Sequence, residues 1–477
     1  MKKTKIICTM GPNTNDREVM KKLAENGMDV ARFNFSHGDY EEHLSRLELL
    51  RGIREELGVP VAALLDTKGP EIRTGMVKDD KKIQLSAGQT YILTTEETET
   101  TEEKAYINYS GLAEDVKPGN KILIDDGLLE MDVLEVKGSQ IVCRVLNGGE
   151  LGSKKGVNVP NVSIRLPGIT EKDKKDILFG IDQEFDFIAA SFVRNAQCIR
   201  EIREILNVHG SKMKIIAKIE NAEGIDNIDE IIAESDGIMV ARGDMGVEVP
   251  AEEVPHLQKM IIKKCNLAGK PVITATQMLD SMIRNPRPTR AEVTDVANAI
   301  YDGSDAVMLS GETAMGKYPV EALQMMVQIA KSSEEYLDAL YYQKCENKEH
   351  HKDISHAVSL SSVSTATMLG AKAIIAPTMG GLTATSLSKW RPHARIIGMS
   401  PNKVVVRQMQ LLWGVTPILA SRASSTDELV DASVELAKKR GLVQEGDTVV
   451  LAVGVPRKGQ PAGVLGETNT IRVVKVD

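Results

Sequence analysis

The sequence predicts an α/β protein: a (β/α)8 TIM barrel that carries an inserted small β-barrel lid domain and is followed by a C-terminal α/β domain. Three observations support this fold class. Eight short apolar runs alternate with amphipathic helical stretches. A stretch of period-two alternation interrupts that pattern after the third run. A second set of strand-and-helix repeats follows a polar segment after the eighth run.

The eight apolar runs have the composition of strands buried on both faces, which are continuously apolar rather than alternating. They are Lys5–Cys8, Val30–Phe35, Val61–Leu65, Phe187–Phe192, Lys214–Ile219, Gly237–Val240, Pro271–Ala275 and Ala306–Leu309. The stretch 39–57 illustrates the helices between them, since its leucines and Ile53 recur every three or four residues and fall on one face.

The interruption between the third run and its helix predicts an inserted domain at residues 71–170. Lys82–Leu85, Lys121–Ile124 and Gln140–Val145 alternate with period two, and Gly127 and Gly138 mark turns. We expect a small antiparallel β domain that covers the barrel mouth as a lid.

The remaining boundaries follow from length and composition. A chain of 477 residues is too long for one core, because single cores stop growing near roughly 250–300 residues. We assign residues 1–70 and 171–343 to the barrel. The polar segment Lys344–Asp353 is the predicted linker, and residues 344–477 form the C-terminal domain, with strands predicted at Ala373–Ala376, Ala394–Met399, Thr448–Val453 and Ile471–Val476.

Composition excludes several classes of function. A net charge of −8 gives no broad basic field, so we expect no nucleic-acid partner. The five cysteines are scattered without a C-x-x-C pair, which favours reduced core thiols over a zinc site or disulfides. We find no secretory signal and no run long enough to span a membrane, so we expect a cytoplasmic protein without a membrane partner.

Polar residues collect after almost every predicted barrel strand. In barrel enzymes the reacting groups lie at the C-terminal ends of the strands. The segments in question are 32–38, 66–73, 218–221, 241–244, 274–277 and 310–312. One such cluster could be a helix cap, but six together predict an active site.

Glu220 and Asp244 end neighbouring predicted strands, so both carboxylates can face one hard cation. Mg²⁺ favours one or two carboxylates with water and substrate oxygens completing the octahedron. Lys218 lies two residues before Glu220 and points to the same side of a strand, where its ammonium could balance the charge of a phosphoryl group. The alternatives are ordinary solvated acids and a lysine that is merely paired with Glu220.

Asn34, Ser36, Asp66 and Thr67 supply oxygen ligands with one formal charge, which suits a monovalent cation better than a second magnesium. The same residue types are also common in turns and N-caps. Arg32 and Arg73 could clamp a phosphate by forked hydrogen bonds or could form structural salt bridges.

Two glycine-containing segments resemble phosphate-binding sites. The segment 311–318 nearly matches a P-loop, but Tyr318 stands where Ser or Thr must bind the metal, so we reject it. In the C-terminal domain, Thr378, Gly380, Gly381 and Thr383 lie between a predicted strand and a helix, where free backbone N–H groups could bind phosphate. A plain strand–turn–helix explains that segment equally well.

Eight segments together resemble the pyruvate kinase family, and they run in order through the first two domains. They are Cys8-Thr-Met-Gly-Pro, Ala31-Arg-Phe-Asn-Phe-Ser-His-Gly, Leu65-Asp-Thr-Lys-Gly-Pro-Glu-Ile-Arg-Thr, Lys154-Lys-Gly-Val-Asn, Lys218-Ile-Glu-Asn, Met239-Val-Ala-Arg-Gly-Asp, Ala275-Thr-Gln-Met-Leu and Met308-Leu-Ser-Gly-Glu.

The resemblance implies transfer of the phosphoryl group of phosphoenolpyruvate to ADP, giving pyruvate and ATP in the last step of glycolysis. It implies Mg²⁺ or Mn²⁺ on Glu220 and Asp244, with Lys218 and Arg32 holding the phosphoryl group. By the same resemblance, K⁺ would bind Asn34, Ser36, Asp66 and Thr67. Nucleotide contacts would come from Asn34, Phe35, Ser36, His37, Arg73 and Lys155. Gly243 and Thr276 would hold the substrate carboxylate, Asp244 would also contact the substrate, and Thr276 would lie on the path of enolate protonation.

The resemblance also implies regulation and assembly. A glutamate at position 71 accompanies dependence on K⁺ in the family. The C-terminal domain often binds a sugar-phosphate or nucleotide effector, and the loop 454–466 departs from the fructose-bisphosphate-responsive patterns, so the effector stays open. A homotetramer is expected.

Two other functions fit some of the same residues. A magnesium-dependent barrel lyase acting on a pyruvate enolate would also use acids at strand ends, but it would lack the lid, the paired arginines and the third domain. A former enzyme retained as a metabolite sensor would be expected to have lost Lys218, Glu220 or Asp244, and all three are present.

Overall fold

A computed structural model describes residues 2–337, 353–454 and 467–477. In it, eight parallel strands close into a barrel, each predicted run supplying one strand, which confirms the predicted TIM barrel. In chain order the barrel strands are β1 Lys5–Thr9, β2 Val30–Asn34, β3 Ala62–Asp66, β12 Phe187–Ala190, β13 Lys214–Ile219, β14 Gly237–Ala241, β15 Val272–Ala275 and β16 Ala306–Leu309, with the lid strands β4 to β11 between β3 and β12.

The barrel strands are apolar throughout because both of their faces are buried. In β1, Ile7 belongs to the cluster of side chains that fills the barrel interior, and Ile6 and Cys8 pack outward against the helices. This two-sided burial explains why continuous apolar runs located the strands.

The helices of this domain surround the strands. They are α1 Arg17–Asn26, α2 Tyr40–Leu57, α4 Glu171–Asp182, α5 Ala196–Val208, α6 Ala222–Asp226, α7 Ile228–Glu234, α8 Arg242–Glu248, α9 Val254–Ala268, α10 Arg290–Asp302, α11 Gly311–Ala314 and α12 Pro319–Glu334. Side chains fix their starts: Asp39 accepts a hydrogen bond from the N–H of Glu42 at the start of α2, and Thr170 and Asp173 form a capping box on α4.

The insertion between β3 and β12 is rich in β-structure and has its own hydrophobic core, as the alternation predicted. It forms a six-stranded sheet and a separate two-stranded sheet. Its elements are β4 Ile83–Leu85, β5 Thr90–Thr94, β6 Lys104–Tyr106, α3 Leu112–Asp115, β7 Lys121–Ile124, β8 Leu129–Lys137, β9 Gln140–Val145, β10 Gly149–Leu151 and β11 Val157–Asn158.

The C-terminal domain is a five-stranded sheet with helices, in the order β19-β18-β17-β20-β21, and its last strand is antiparallel. The elements are α13 Ile354–Met368, β17 Ala373–Pro377, α14 Leu382–Ser388, β18 Arg395–Ser400, α15 Lys403–Gln408, β19 Val415–Leu419, α16 Thr426–Lys439, β20 Thr448–Val453 and β21 Thr470–Lys475. The sequence predicted four of these strands and missed β19.

The C-terminal domain contacts the end of the barrel opposite the predicted active site. Arg391 forms a buried ion pair with Asp305, which precedes β16, and Arg407 forms one with Asp186, which precedes β12. Leu411 packs against the cluster inside the barrel. The N-terminal ends of β12 and β16 thus lie against the C-terminal domain, and the polar segments of the predicted active site lie at the other end of the barrel.

Two predictions stay untested. The linker 344–353 lies outside the described residues apart from Asp353, which caps α13. The boundaries proposed at 70/71, 170/171 and 343/344 stay predictions. Among the described residues no helix is long and apolar enough to cross a membrane.

Candidate active site

Lys218 is the centre of a buried polar cluster at the C-terminal end of the barrel. Its ammonium lies 2.9 Å from Glu220 and 3.1 Å from Asp66, and it donates a hydrogen bond of 2.7 Å to the Ser191 hydroxyl. Burial alone would lower the pKa of Lys218, but the carboxylates of Asp66 and Glu220 outweigh it and raise the pKa. Lys218 therefore stays a cation inside the barrel mouth.

Arg32 brings a second cation to the same place from β2. Its Nε lies 2.6 Å from Asp66, and its Nη1 donates to the Thr9 hydroxyl at 3.0 Å. Asp66 is fully buried, and although burial would raise its pKa, the charges of Arg32 and Lys218 lower it. Two cations therefore share the Asp66 carboxylate, and with Glu220 and Asp244 the cluster contains two cations and three acidic side chains.

Glu220 and Asp244 face each other across the ends of β13 and β14. Burial raises the pKa of Glu220 to about 7, and the charge of Asp244 adds to this while Lys218 opposes it. Burial also raises the pKa of Asp244, although the charge of Lys218 and a hydrogen bond with Glu220 act to lower it. The Phe192 N–H donates to Glu220 at 2.6 Å and fixes that carboxyl group.

This donor set fits one divalent cation. The raised pKa values show that the two carboxylates are not easily charged side by side. A cation between them would favour their charged forms. Among the described residues no group of three or more His, Cys, Asp or Glu side chains could hold a metal ion. A pair of carboxylates open to water and substrate is the arrangement that Mg²⁺ prefers.

The four residues predicted for a monovalent cation also lie together. Asn34 and Asp66 are register partners on β2 and β3, and Ser36 and Thr67 follow those strands. Asn34 already accepts a hydrogen bond of 3.1 Å from the Ser36 N–H, and Thr67 Oγ1 accepts one of 3.2 Å from the Ser191 N–H. The set contributes one negative charge and neutral oxygens.

The loop after β2 is held from behind by α2 and α4. His43 bonds the His37 carbonyl at 3.0 Å and stacks on Phe35 with ring centroids 4.1 Å apart. Lys172 donates 2.8 Å to the Phe35 carbonyl and 2.6 Å to buried Asp176. These contacts fix the backbone from Asn34 to His37, and the His37 side chain is exposed.

A cleft of about 600 Å³ lies between the barrel mouth and the lid. Asp244 lines it on the barrel side, and basic residues of the lid line the other side. Arg73 pairs with Glu71 at 2.6 Å and bonds the Lys154 carbonyl at 2.9 Å. Lys155 pairs with Asp125 at 2.9 Å. The lining contains four basic residues, Arg73, Lys154, Lys155 and Arg194, together with seven acidic ones, so a polyphosphate would need these basic residues and a bound cation.

Thr276 follows β15, Gly243 lies in the first turn of α8 after β14, and the two residues are packed closely. A Cβ on Gly243 would lie 2.7 Å from the Thr276 methyl group, so only glycine fits there. Thr276 has φ of 75°, in the left-handed region. Gly243 is followed directly by Asp244, which lines the cleft.

Sequence reasoning missed Ser191 and Thr9, which follow or end barrel strands and bond Lys218 and Arg32. The strand-end rule applied to β12 and β1 would have found both. The same rule also pointed to Glu312, which accepts hydrogen bonds from the N–H groups of Leu279 and Ser310 and is 2% exposed. Glu312 organises two loops and does not join the cluster around Lys218.

In the C-terminal domain, the predicted phosphate segment forms a turn before α14. The Thr378 hydroxyl accepts a hydrogen bond from the Gly381 N–H at 3.0 Å, and Gly381 has φ of 89°. The Thr383 hydroxyl is buried and lies 2.9 Å from that of Thr468. The loop 454–466, apart from Gly454, lies outside the described residues.

Comparisons with known proteins agree along the whole chain. The family model for the pyruvate kinase barrel domain matches residues 1–323, and that for the pyruvate kinase alpha/beta domain matches residues 356–474. The pyruvate kinase of Geobacillus stearothermophilus is 52% identical over 475 residues, 99% of this chain and 80% of the relative. That of Clostridium acetobutylicum is 50% identical over 479 residues and all of both chains. A crystal structure of a pyruvate kinase from Cryptosporidium parvum superposes with a TM-score of 0.94 at 41% identity, covering 100% of this chain and 96% of that one.

Proposed function

Because the chain belongs to the pyruvate kinase family, we propose that its phosphotransferase reaction, from phosphoenolpyruvate to ADP, takes place at the cluster around Lys218. The observation that carries the proposal is the meeting of Lys218, Glu220 and Asp244 at the same rim as Arg32. Two cations, together with a divalent ion that the pair of carboxylates would hold, suit a substrate that carries both a phosphate and a carboxylate.

The protein's task in this reaction is positioning and charge neutralisation. Lys218 would stabilise the phosphoryl group as it moves, and Arg32 would hold it by a forked contact. A divalent ion, Mg²⁺ or Mn²⁺, held by Glu220 and Asp244 would supply further charge neutralisation. The hydrogen bond from the Phe192 N–H keeps Glu220 oriented towards that position.

We assign the carboxylate end of phosphoenolpyruvate to Gly243, Asp244 and Thr276. The N–H groups at the start of α8 are free to bind an anion there, since a helix N-terminus leaves its first N–H groups without partners. Thr276 would also lie on the path of the proton that converts the enolate to pyruvate.

ADP would enter between the loop after β2 and the lid. We assign its phosphates to the backbone and side chains from Asn34 to His37, to Arg73 and to Lys155. Lys155 must exchange Asp125 for a phosphate to do this, which ties nucleotide binding to the position of the lid. A closed lid would keep water away from the phosphoryl group.

Membership of the family is consistent with a requirement for a divalent metal ion and K⁺. We propose that K⁺ binds Asn34, Ser36, Asp66 and Thr67, where one carboxylate and neutral oxygens suit a monovalent ion. A sugar-phosphate or nucleotide effector at Thr378, Gly380, Gly381 and Thr383, a homotetramer and a cytoplasmic location remain proposals.

Initial rates with phosphoenolpyruvate and ADP test the reaction, with ATP and pyruvate measured separately. Lys218→Met should reduce phosphoryl transfer by at least ~10²-fold, because it removes a charge that acts in the transition state. Lys174→Met is the matched control, since Lys174 forms an exposed pair with Glu171 on α4. A Lys218→Met enzyme with near-normal turnover would remove Lys218 from the mechanism. Pyruvate production without ADP would instead favour a lyase.

A further inference from the structure

Thr276 and Gln277 form an unusual pair of residues after β15. Their φ values are 75° and 54°, so two consecutive non-glycine residues lie in the left-handed region. A β-branched side chain is rarely found there, because its Cβ substituents clash with the backbone. Such a conformation is strained and persists only where surrounding contacts enforce it.

Arg242 makes the contacts that enforce it. Its Nη2 donates a hydrogen bond of 2.7 Å to the Thr276 carbonyl, and its Nε donates one of 3.1 Å to the Ala275 carbonyl. The planar guanidinium therefore donates hydrogen bonds to two consecutive carbonyls at the bend. A lysine could reach one carbonyl but could not reproduce this fork.

Arg242 is itself anchored. Its Nη1 lies 2.6 Å from Asp295 on α10 and 3.3 Å from Gln258 on α9, and its side chain is 14% exposed. Contacts from two further helices keep the guanidinium in one orientation. The bend after β15 is thus tied to the outer layer of the barrel.

The neighbouring residue completes the arrangement. Gly243 allows the Thr276 methyl group to pack against the start of α8, where a Cβ would come within 2.7 Å. Arg242 fixes the Thr276 backbone, and Gly243 leaves room for its side chain. Both the backbone and the methyl group of Thr276 are thus confined.

We propose that Arg242 is a positioning residue for Thr276: it holds the strained backbone so that the Thr276 hydroxyl faces the reacting carbon of the substrate. The proposal rests on the proposed function, in which Thr276 lies on the path of enolate protonation. In that step a solvent proton is relayed through the Thr276 hydroxyl: its O–H bond breaks as a C–H bond forms at C3 of the enolate, and water restores the hydroxyl proton. The C2–C3 double bond becomes single, and the C2–O bond becomes a carbonyl. Arg242 touches no reacting atom.

The test separates phosphoryl transfer from protonation in the full-length enzyme. ATP formation from phosphoenolpyruvate and ADP is followed by rapid quench in a single turnover. The reverse of protonation, loss of a pyruvate methyl proton, is followed by NMR. The measured quantity is the rate at which these protons exchange with D₂O in the presence of Mg²⁺, K⁺ and ATP. Arg242→Met should reduce the exchange rate at least about tenfold more than ATP formation, the size expected for loss of a charge-assisted hydrogen bond.

Two variants keep the result decisive. Arg242→Lys should recover part of the exchange, because an ammonium can still bind the Thr276 carbonyl. Arg203→Met is the matched control: Arg203 also joins an aspartate, Asp236 at 2.7 Å, to a backbone carbonyl, that of Glu234 at 3.3 Å, but it lies at the opposite end of the barrel. It should leave the ratio of exchange to ATP formation unchanged.

Equal losses of exchange and ATP formation in Arg242→Met would overturn the proposal, as would a folded variant in which neither changes. If Arg242→Met does not fold, the ratio in Arg242→Lys decides: an unchanged ratio rejects the positioning role. Failure of the wild-type enzyme to form ATP would reject the proposed function itself, which distinguishes the two.

Discussion

At the scale of single residues, the site is organised by carboxylates that serve more than one cation. Asp66 binds Arg32 and Lys218, and Glu71 lies 2.6 Å from Arg73 and 3.7 Å from Lys68. Each of these carboxylates thus holds two basic residues by ion pairs. The balance of charge there is therefore sensitive to a change at one acid.

Glu71 provides the first prediction. Glu71→Lys would place a fixed cation on the cleft wall, so the added monovalent cation would no longer be needed. We expect the variant to turn over without K⁺, whereas the wild type depends on it. Initial rates with saturating K⁺ and with K⁺ replaced by tetramethylammonium measure this. Glu71→Gln, which adds no cation, should keep the K⁺ requirement; a lysine variant that also keeps it would contradict the explanation.

His43 provides a prediction about pH. Burial lowers the pKa of His43 to about 4 from 6.5, against a hydrogen bond to the His37 carbonyl that raises it. Arg46 and Lys172 also lower it, and Glu42 raises it. The unfolded chain binds a proton at this residue before the folded chain does, so stability falls as pH decreases from about 6.5 to about 4.

Between pH 7 and pH 5 the His43 contribution should be about 2 kcal/mol, from 1.36 kcal/mol per pKa unit. We expect His43→Gln to lose less stability than the wild type over that interval, as measured by urea denaturation at each pH. His209→Gln is the control, because His209 is an exposed residue at the end of α5. Parallel pH profiles for the wild type and His43→Gln would rule out this role for His43.

At the scale of elements, sequence pattern located the barrel strands well. All eight predicted runs became strands, because burial on both faces makes composition alone informative. Several lid strands and β19 were not predicted. Val415–Leu419 contains a proline, which sequence rules associate with edge strands, and β19 is indeed at the edge of its sheet.

The candidate site was predictable in position but not in orientation. The strand-end rule identified Lys218, Glu220 and Asp244, which lie together. It could not tell that Glu312 turns inward to bond two N–H groups or that Asp66 lies between two cations. Strand position fixes where a side chain begins, while its contacts depend on neighbours that are distant in sequence.

The start of α10 offers an element-scale prediction. Thr289 accepts a hydrogen bond from the Glu292 N–H, and Glu292 in turn accepts hydrogen bonds from Thr289 and Ser281. Thr289→Ala should lower the local opening free energy of the first turn by about 1 kcal/mol. Hydrogen exchange measured by mass spectrometry would detect this. Thr294→Ala, at an exposed position within the same helix, should leave exchange unchanged; equal effects would argue against a capping role.

At the scale of the whole molecule, the C-terminal domain is joined to the barrel end that carries no reacting groups. Arg391 donates to Asp305 at 2.6 Å and to the Gly303 carbonyl at 2.7 Å, and both charged side chains are nearly inaccessible. Arg407 binds Asp186, which also accepts a hydrogen bond from the Ala63 N–H on β3. Changes in the C-terminal domain can therefore reach the strands that carry the site.

Arg391→Met should destabilise the enzyme by about 3–5 kcal/mol, because it leaves the Asp305 carboxylate buried without its cation. Differential scanning calorimetry should show a lower unfolding midpoint, with separate transitions for the two domains. The double variant Arg391→Met with Asp305→Asn should recover much of the loss, since no buried charge is then left uncompensated. Arg472→Met, which breaks an exposed pair with Asp427, should cost no more than about 1 kcal/mol. If Arg391→Met unfolds like Arg472→Met, the buried pair does not hold the two domains together. Other contacts, such as Arg407 with Asp186 and Lys5 with the Val415 carbonyl, would then carry the coupling.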